Sequence, residues 1–297
     1  MPNAKLKNYF HLHFLVFIAG FTAILGELIS IGSVPLVWYR MLIAAVLMFI
    51  YIKIVKIDLR ARSTDIFKFS IAGIFIALHW ITFFESINQA NVSIALAMFA
   101  SGAFFASLIE PIFYKRKIIG YEIVFGLIVI FGVYLITKTE FHYLNGIILG
   151  IAAALFSSLF AVINGKLVEK HRASVISFYE FISGIICISI FLFFAKDGFS
   201  QEFFNLKTSD WWYLIILGSI CTAYAFIAAV YVMKYISPYT VVLTYNLEPI
   251  YGIVMAILLF PDKERMSTEF YIGAILIIST VIINGILKNT AKTKKNV

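Results

Sequence analysis

Long apolar stretches and short polar joints alternate along the whole chain. The apolar runs fall at about 10–31, 34–57, 66–87, 92–114, 118–137, 143–164, 173–195, 211–233, 238–260 and 270–287. Each is close to the roughly 20 residues that a helix needs to cross a bilayer core. The pattern predicts an all-α membrane protein of ten transmembrane helices. The joints leave no room for a soluble domain, since the longest, about 196–210, is too small to fold alone. Lys5 and Lys7 precede the first run as they would in a signal peptide. The run is long and no small-residue cleavage site follows it, so it reads as an uncleaved first helix.

Composition supports the membrane reading and removes others. Hydrophobic residues make up 62% of the chain and charged residues 13%, with a mean hydropathy of +0.95. Soluble domains carry about 25% charged residues. The net charge of +8 would suggest nucleic acid on a soluble face, but here the basic residues sit between apolar runs and report topology instead. With the N-terminus inside, eighteen of the 24 lysines and arginines fall on the inner side and five on the outer, Arg40 lying within a run. Both termini are therefore expected in the cytoplasm, with the lipid bilayer as partner and no nucleic acid. Cys187 and Cys221 lie in separate apolar runs without a second ligand, so neither a disulfide nor a metal site is expected.

Two halves, 1–140 and 141–297, echo one another. Aligning the last run of each, 126–132 with 273–279, gives an offset of 147 that sets Ser101 against Glu248 and Gly102 against Pro249. Earlier in the halves, Tyr39-Arg40 matches Tyr179-Glu180 at an offset of 140. A half with five crossings inverts the copy that follows it. Two inverted five-helix repeats are the predicted architecture, with a site at their interface.

Polar residues inside the runs are the candidate chemistry. Glu248 lies about 16 Å into the ninth run, near the middle of the membrane. An acid at that depth is costly and marks a pathway or a hydrogen-bonded kink. Pro249 is the expected helix break, exposing carbonyls near Tyr245 and Asn246. Together with Glu248, those two residues form a candidate substrate site, joined by His79, Trp80 and Ser101 at similar depth. His79 is suited to proton transfer or to a hydrogen-bonded place in the core. Arg40 and Glu180 are each expected about 8 Å from opposite faces, roughly 13 Å apart along the membrane normal. Each, with Tyr39 or Tyr179 beside it, is a candidate gate at its own mouth, or snorkels to the nearer interface. Gly146, Gly150 and Ala154 share one face at four-residue spacing, suited to close packing within one subunit. A monomer or weak homodimer is expected.

Taken together, Tyr39-Arg40, the run Ala152-Ala153-Ala154-Leu155-Phe156-Ser157-Ser158-Leu159-Phe160-Ala161, and Asn246-Leu247-Glu248-Pro249 resemble the drug/metabolite transporter superfamily. More narrowly, the chain is similar to its ten-helix EamA-like permeases. That resemblance implies a secondary transporter exporting small organic metabolites, amino acids or similar molecules or drugs, across a bacterial inner membrane. The family's small-residue-proline break is absent from the fourth run, where Ser101-Gly102 stands. No Gly-rich phosphate loop, His-Glu-x-x-His helix or Gly-x-Ser-x-Gly elbow is present, so no ATP, cofactor or enzyme activity is expected. The alternatives are a membrane hydrolase or acyltransferase using Glu248 and His79, and a channel.

Overall fold

The computed structural model describes the chain apart from residues 1, 116, 118, 197, 233–234, 236–243, 246 and 296–297, and apart from the side chains of residues 2–5, 230, 285 and 288–295. Among the described residues every regular element is helical. In order they are α1 (Pro2–Leu28), α2 (Ser33–Ile54), α3 (Ser63–Gln89), α4 (Val92–Phe99), α5 (Gly102–Tyr114), α6 (Gly120–Thr139), α7 (Leu144–Leu167), α8 (Ala173–Phe194), α9 (Gln201–Phe204), α10 (Thr208–Gly218), α11 (Ala225–Val232), α12 (Glu248–Leu259) and α13 (Thr268–Lys295). A π-helical turn, Ser219–Tyr224, joins α10 to α11. Among the described residues eight helical stretches of 20 to 27 residues are long and apolar enough to cross a membrane, and the shorter apolar helices Glu248–Leu259 and Thr268–Asn284 lie in the ninth and tenth runs. Part of the ninth run, 238–243 and 246, lies outside the described residues.

In lipid a helix satisfies its own backbone, so apolar runs of this length have helix as their solution. Packing between them depends on small residues, because lipid tails are as apolar as leucine. The face Gly146, Gly150 and Ala154 packs inside the subunit, as its spacing predicts. A methyl group on Gly146 would meet Ala90 Cβ at 2.5 Å, one on Gly150 would meet Met98 Cβ at 2.7 Å, and Ser86 Oγ donates to the Gly146 carbonyl at 2.7 Å. These contacts hold α7 along α3 and α4, while α8 lies on the other flank of α3. At the far side of the molecule α6 packs on α13 through Gly132 and Gly273, whose carbonyls would stand 2.7–2.9 Å from a methyl on the other.

The fourth run breaks even though it lacks a proline there. α4 ends at Phe99, and Ser101 turns the chain into α5, its N–H donating to Met98 O at 3.0 Å and its hydroxyl to the same carbonyl at 2.6 Å. Pro249 lies just after an interruption of the ninth run. It stands in the first turn of α12, where a missing N–H has no helical carbonyl to serve, and Tyr251 N–H still reaches Leu247 O at 3.1 Å. Thr244 and Tyr245 are helical, Leu247 lies in a turn and Glu248 begins α12, so the proline opens the helix that follows an interruption of the ninth run.

Candidate functional site

Between α1, α2, α3, α7, α8, α11 and α12 lies a cavity of about 380 Å³. Its wall is mostly apolar, with Phe83, Phe99, Phe160 and Phe226 among the lining residues, and it carries the ionisable groups Arg40, His79, Glu180, Cys221, Tyr245 and Glu248. A second cavity of about 420 Å³ shares Ala173, Ser177 and Phe226 with it and continues past Met48, Tyr51, Val55, Ile57 and Arg172. That path leads to the end of the bundle where α2 finishes and α8 begins.

At the opposite end of the bundle polar contacts join the helix ends. Consecutive long helices run in alternate directions, so the end of α1 and the starts of α2, α4 and α10 gather there. Lys263 pairs with Glu27, which holds the Lys263 ammonium above its usual pKa range. Beside it the buried Glu264 accepts the first N–H groups of α4, Val92 at 3.0 Å and Ser93 at 2.9 Å, where helix geometry leaves donors without partners. Asp210 accepts from the Ser30 N–H at 2.9 Å and its hydroxyl at 2.8 Å, and Ser33 donates to Glu85 at 2.8 Å.

Arg40 stands in the first half of α2 and is 3% exposed. Its guanidinium carbon lies 3.9 Å from the centre of the Trp80 ring, a cation–π arrangement. Nε donates to Thr222 Oγ1 at 2.8 Å, and NH1 is buried without a partner. Thr222 belongs to the π-helical turn, its hydroxyl donating to Leu217 O five residues back at 2.7 Å. Such turns insert one residue into a helix and re-aim side chains, frequently at functional sites.

The two acids of the cavity are positioned alike. Glu180 precedes Gly184 by four residues, and Glu248 precedes Gly252 by four. A methyl on Gly73 of α3 would meet the Glu180 carbonyl oxygen at 2.4 Å, and one on Gly184 would meet Gly73 O at 3.2 Å. In the other pair, a methyl on Gly20 of α1 would meet Gly252 N at 2.9 Å and Glu248 O at 3.1 Å, and one on Gly252 would meet Gly20 O at 3.3 Å. Each acid is thus fixed by backbone-to-backbone contact with a glycine of another helix. Glu180 is 1% exposed and accepts from Asn164 Nδ2 at 2.7 Å. Glu248 is half-buried, interacts electrostatically with Arg40, and makes no hydrogen bond or ion pair among the described residues.

The structure brings Arg40, His79, Trp80, Glu180, Tyr245 and Glu248 to one cavity. Arg40 and Glu180, expected at opposite mouths, both line this one cavity. His79 Nδ1 bonds the Ala153 carbonyl at 2.9 Å, so that nitrogen carries the proton and Nε2 is the acceptor of the neutral ring. No hydrogen bond links His79 to Glu248 or to a nucleophile among the described residues. Ser101, Tyr39 and Tyr179 are not among the lining residues. Ser101 forms the α4–α5 turn; Tyr39 donates to Phe203 O at 3.1 Å, fastening α2 to the short helix α9, and Tyr179 donates to Leu59 O at 2.9 Å, fastening α8 to the loop after α2. Asn246 lies outside the described residues. Asn164 and Thr222 carry no signal in the sequence, and the glutamate-to-glycine spacing of four that both acids share also occurs at Glu122–Gly126, away from the cavity.

Residues 8–138, and again 144–286, match the EamA-like transporter family. An uncharacterized transporter of Bacillus subtilis (strain 168) is 23% identical over 197 residues, 64% of this chain and 61% of that protein, so the match spans less than two thirds of that relative's length. An uncharacterized transporter of Clostridium kluyveri is 24% identical over 253 residues, 81% of this chain and 79% of that protein. A protein of known crystal structure superposes with a TM-score of 0.64 at 13% identity, covering 95% of this chain and 98% of that one, which bears on the fold alone. With the family matched over nearly the whole length and a bundle of apolar helices, the chain belongs to the EamA-like transporter family and is a multi-pass membrane protein.

Proposed function

We propose that the protein is a secondary transporter that exports a small organic metabolite, such as an amino acid or similar molecule or a drug, across a bacterial inner membrane. The observation that carries this reading is the cavity itself. Arg40, Glu180 and Glu248 line a space reached from one end of the bundle, while contacts of Glu27–Lys263, Glu264 and Asp210 join the helix ends at the other, which we take as the closed end. Charged groups within a membrane bundle are costly and are kept where they face a pathway. Alternating access follows if the ties at the closed end break as new ties form at the open end. The reading includes ten spans as two inverted five-helix repeats, 1–140 and 141–297, both termini in the cytoplasm, and Glu248 as the group that contacts substrate or exchanges a proton.

Comparison of metabolites retained by cells with and without the protein, followed by exchange in liposomes reconstituted with the purified chain, tests this. Faster loss of a defined metabolite class from expressing cells, and its exchange in liposomes, is expected. Turnover of a lipid or ester without any solute movement would replace the transporter with a membrane enzyme.

A further inference from the structure

We infer that Arg40 is the docking point for a carboxylate, and that the transported molecule is a small organic carboxylate with an apolar body. This inference rests on the transporter reading and adds the substrate's chemistry to it. A guanidinium offers five N–H donors in a planar fork. In Arg40 one of them, on Nε, is engaged by Thr222, NH1 has no acceptor, and no carboxylate lies within ion-pair distance among the described residues. A cation buried in that state is expensive unless an anion completes it. The Trp80 face and the distant charge of Glu248 compensate in part, but neither accepts a hydrogen bond from the fork.

A carboxylate does, in the bidentate geometry that the fork matches. The rest of the wall says what accompanies it. Phe83, Phe99, Phe160 and Phe226 offer apolar surface, and about 380 Å³ lies within the range that holds one small molecule. Glu248, free of hydrogen bonds among the described residues, is placed to receive an ammonium if the molecule carries one. A purely structural Arg40 would need only its bond to Thr222. In that case the cavity has no preference for anions.

Three probes with a common phenyl body separate these cases: phenylpropionate (carboxylate only), phenylalanine (carboxylate and ammonium) and phenethylamine (ammonium only). Binding to the full chain in detergent micelles is measured by titration calorimetry. Both carboxylates are expected to bind at least about tenfold more tightly than phenethylamine, the size of one charge-assisted contact. Arg40→Gln should lose about 10- to 100-fold for both carboxylates, with Arg40→Lys recovering part of it. The ratio between the two carboxylates tells whether Glu248 takes the ammonium. Equal or tighter binding of phenethylamine, no detectable binding of either carboxylate, or an Arg40→Gln protein of unchanged affinity overturns the assignment. If Arg40→Gln does not fold, the ranking of the three probes on the unaltered protein decides alone. Liposome exchange of cell metabolites judges the transporter reading separately, because it does not require a carboxylate.

Discussion

Gly73 of α3 lies so close to Glu180 of α8 that a methyl group at position 73 would come within 2.4 Å of the Glu180 carbonyl oxygen. Backbone contact of this kind places an acid without using its side chain, leaving the carboxylate to Asn164 and the cavity. Glu248 is set in the same way against Gly20.

Enlarging the contact is therefore expected to cost stability. Gly73→Ala should destabilise the protein by about 1–3 kcal/mol through overpacking. Gly120→Ala, where an added methyl meets nothing within 4 Å, is the matched control. Thermal unfolding in detergent should show a lower midpoint for the first and none for the second. Equal midpoints for Gly73→Ala and the unaltered protein would mean that α3 and α8 are not held at this distance.

Glutamine at position 248 keeps the size and hydrogen-bonding capacity of the acid and removes its titration. If transport is coupled to protons through Glu248, Glu248→Gln should fold and still exchange substrate between the two sides of a liposome, yet lose accumulation driven by a pH gradient. Unchanged accumulation and an unchanged pH profile would leave Glu248 a structural residue of the α12 start, and His79 would be the next group to replace.

Cys221 lines the cavity, which makes it a native reporter of which side the cavity faces. In a Cys187→Ala background, a membrane-impermeant maleimide should modify Cys221 only from the side onto which the open end faces. Glu264→Ala removes the acceptor for the Val92 and Ser93 N–H groups at the closed end. Modification from the other side is then expected to rise severalfold. Labelling that stays one-sided would show that this tie does not hold the end closed.

Single cysteines introduced at Asn3, Ser200 and Asn296 test the topology. Applied outside intact cells, the same reagent should modify position 200 and neither terminus. Modification at position 3 or 296 would reverse the proposed orientation or change the number of crossings.

Chain-level features were legible because they depend on one dimension only. Apolar runs of bilayer length force helices, and an acid in such a run marks itself by its cost, so the helical membrane class and Glu248 followed from residue order. Gly146 and Gly150 announced close packing because four-residue spacing already encodes a helix face. The family followed from the same order of runs and motifs. Depth, however, is the only coordinate that residue counting supplies. It places Arg40 and Glu180 toward opposite faces of the membrane and says nothing of rotation about the axis or of which helices are neighbours. Those were decided by nonlocal contacts: Gly73 against Glu180, Gly20 against Glu248, and the π-helical turn that brings Thr222 to Arg40. The same contacts left Tyr39, Tyr179 and Ser101 outside the cavity, because a side chain's use is fixed by whatever backbone its helix is packed against.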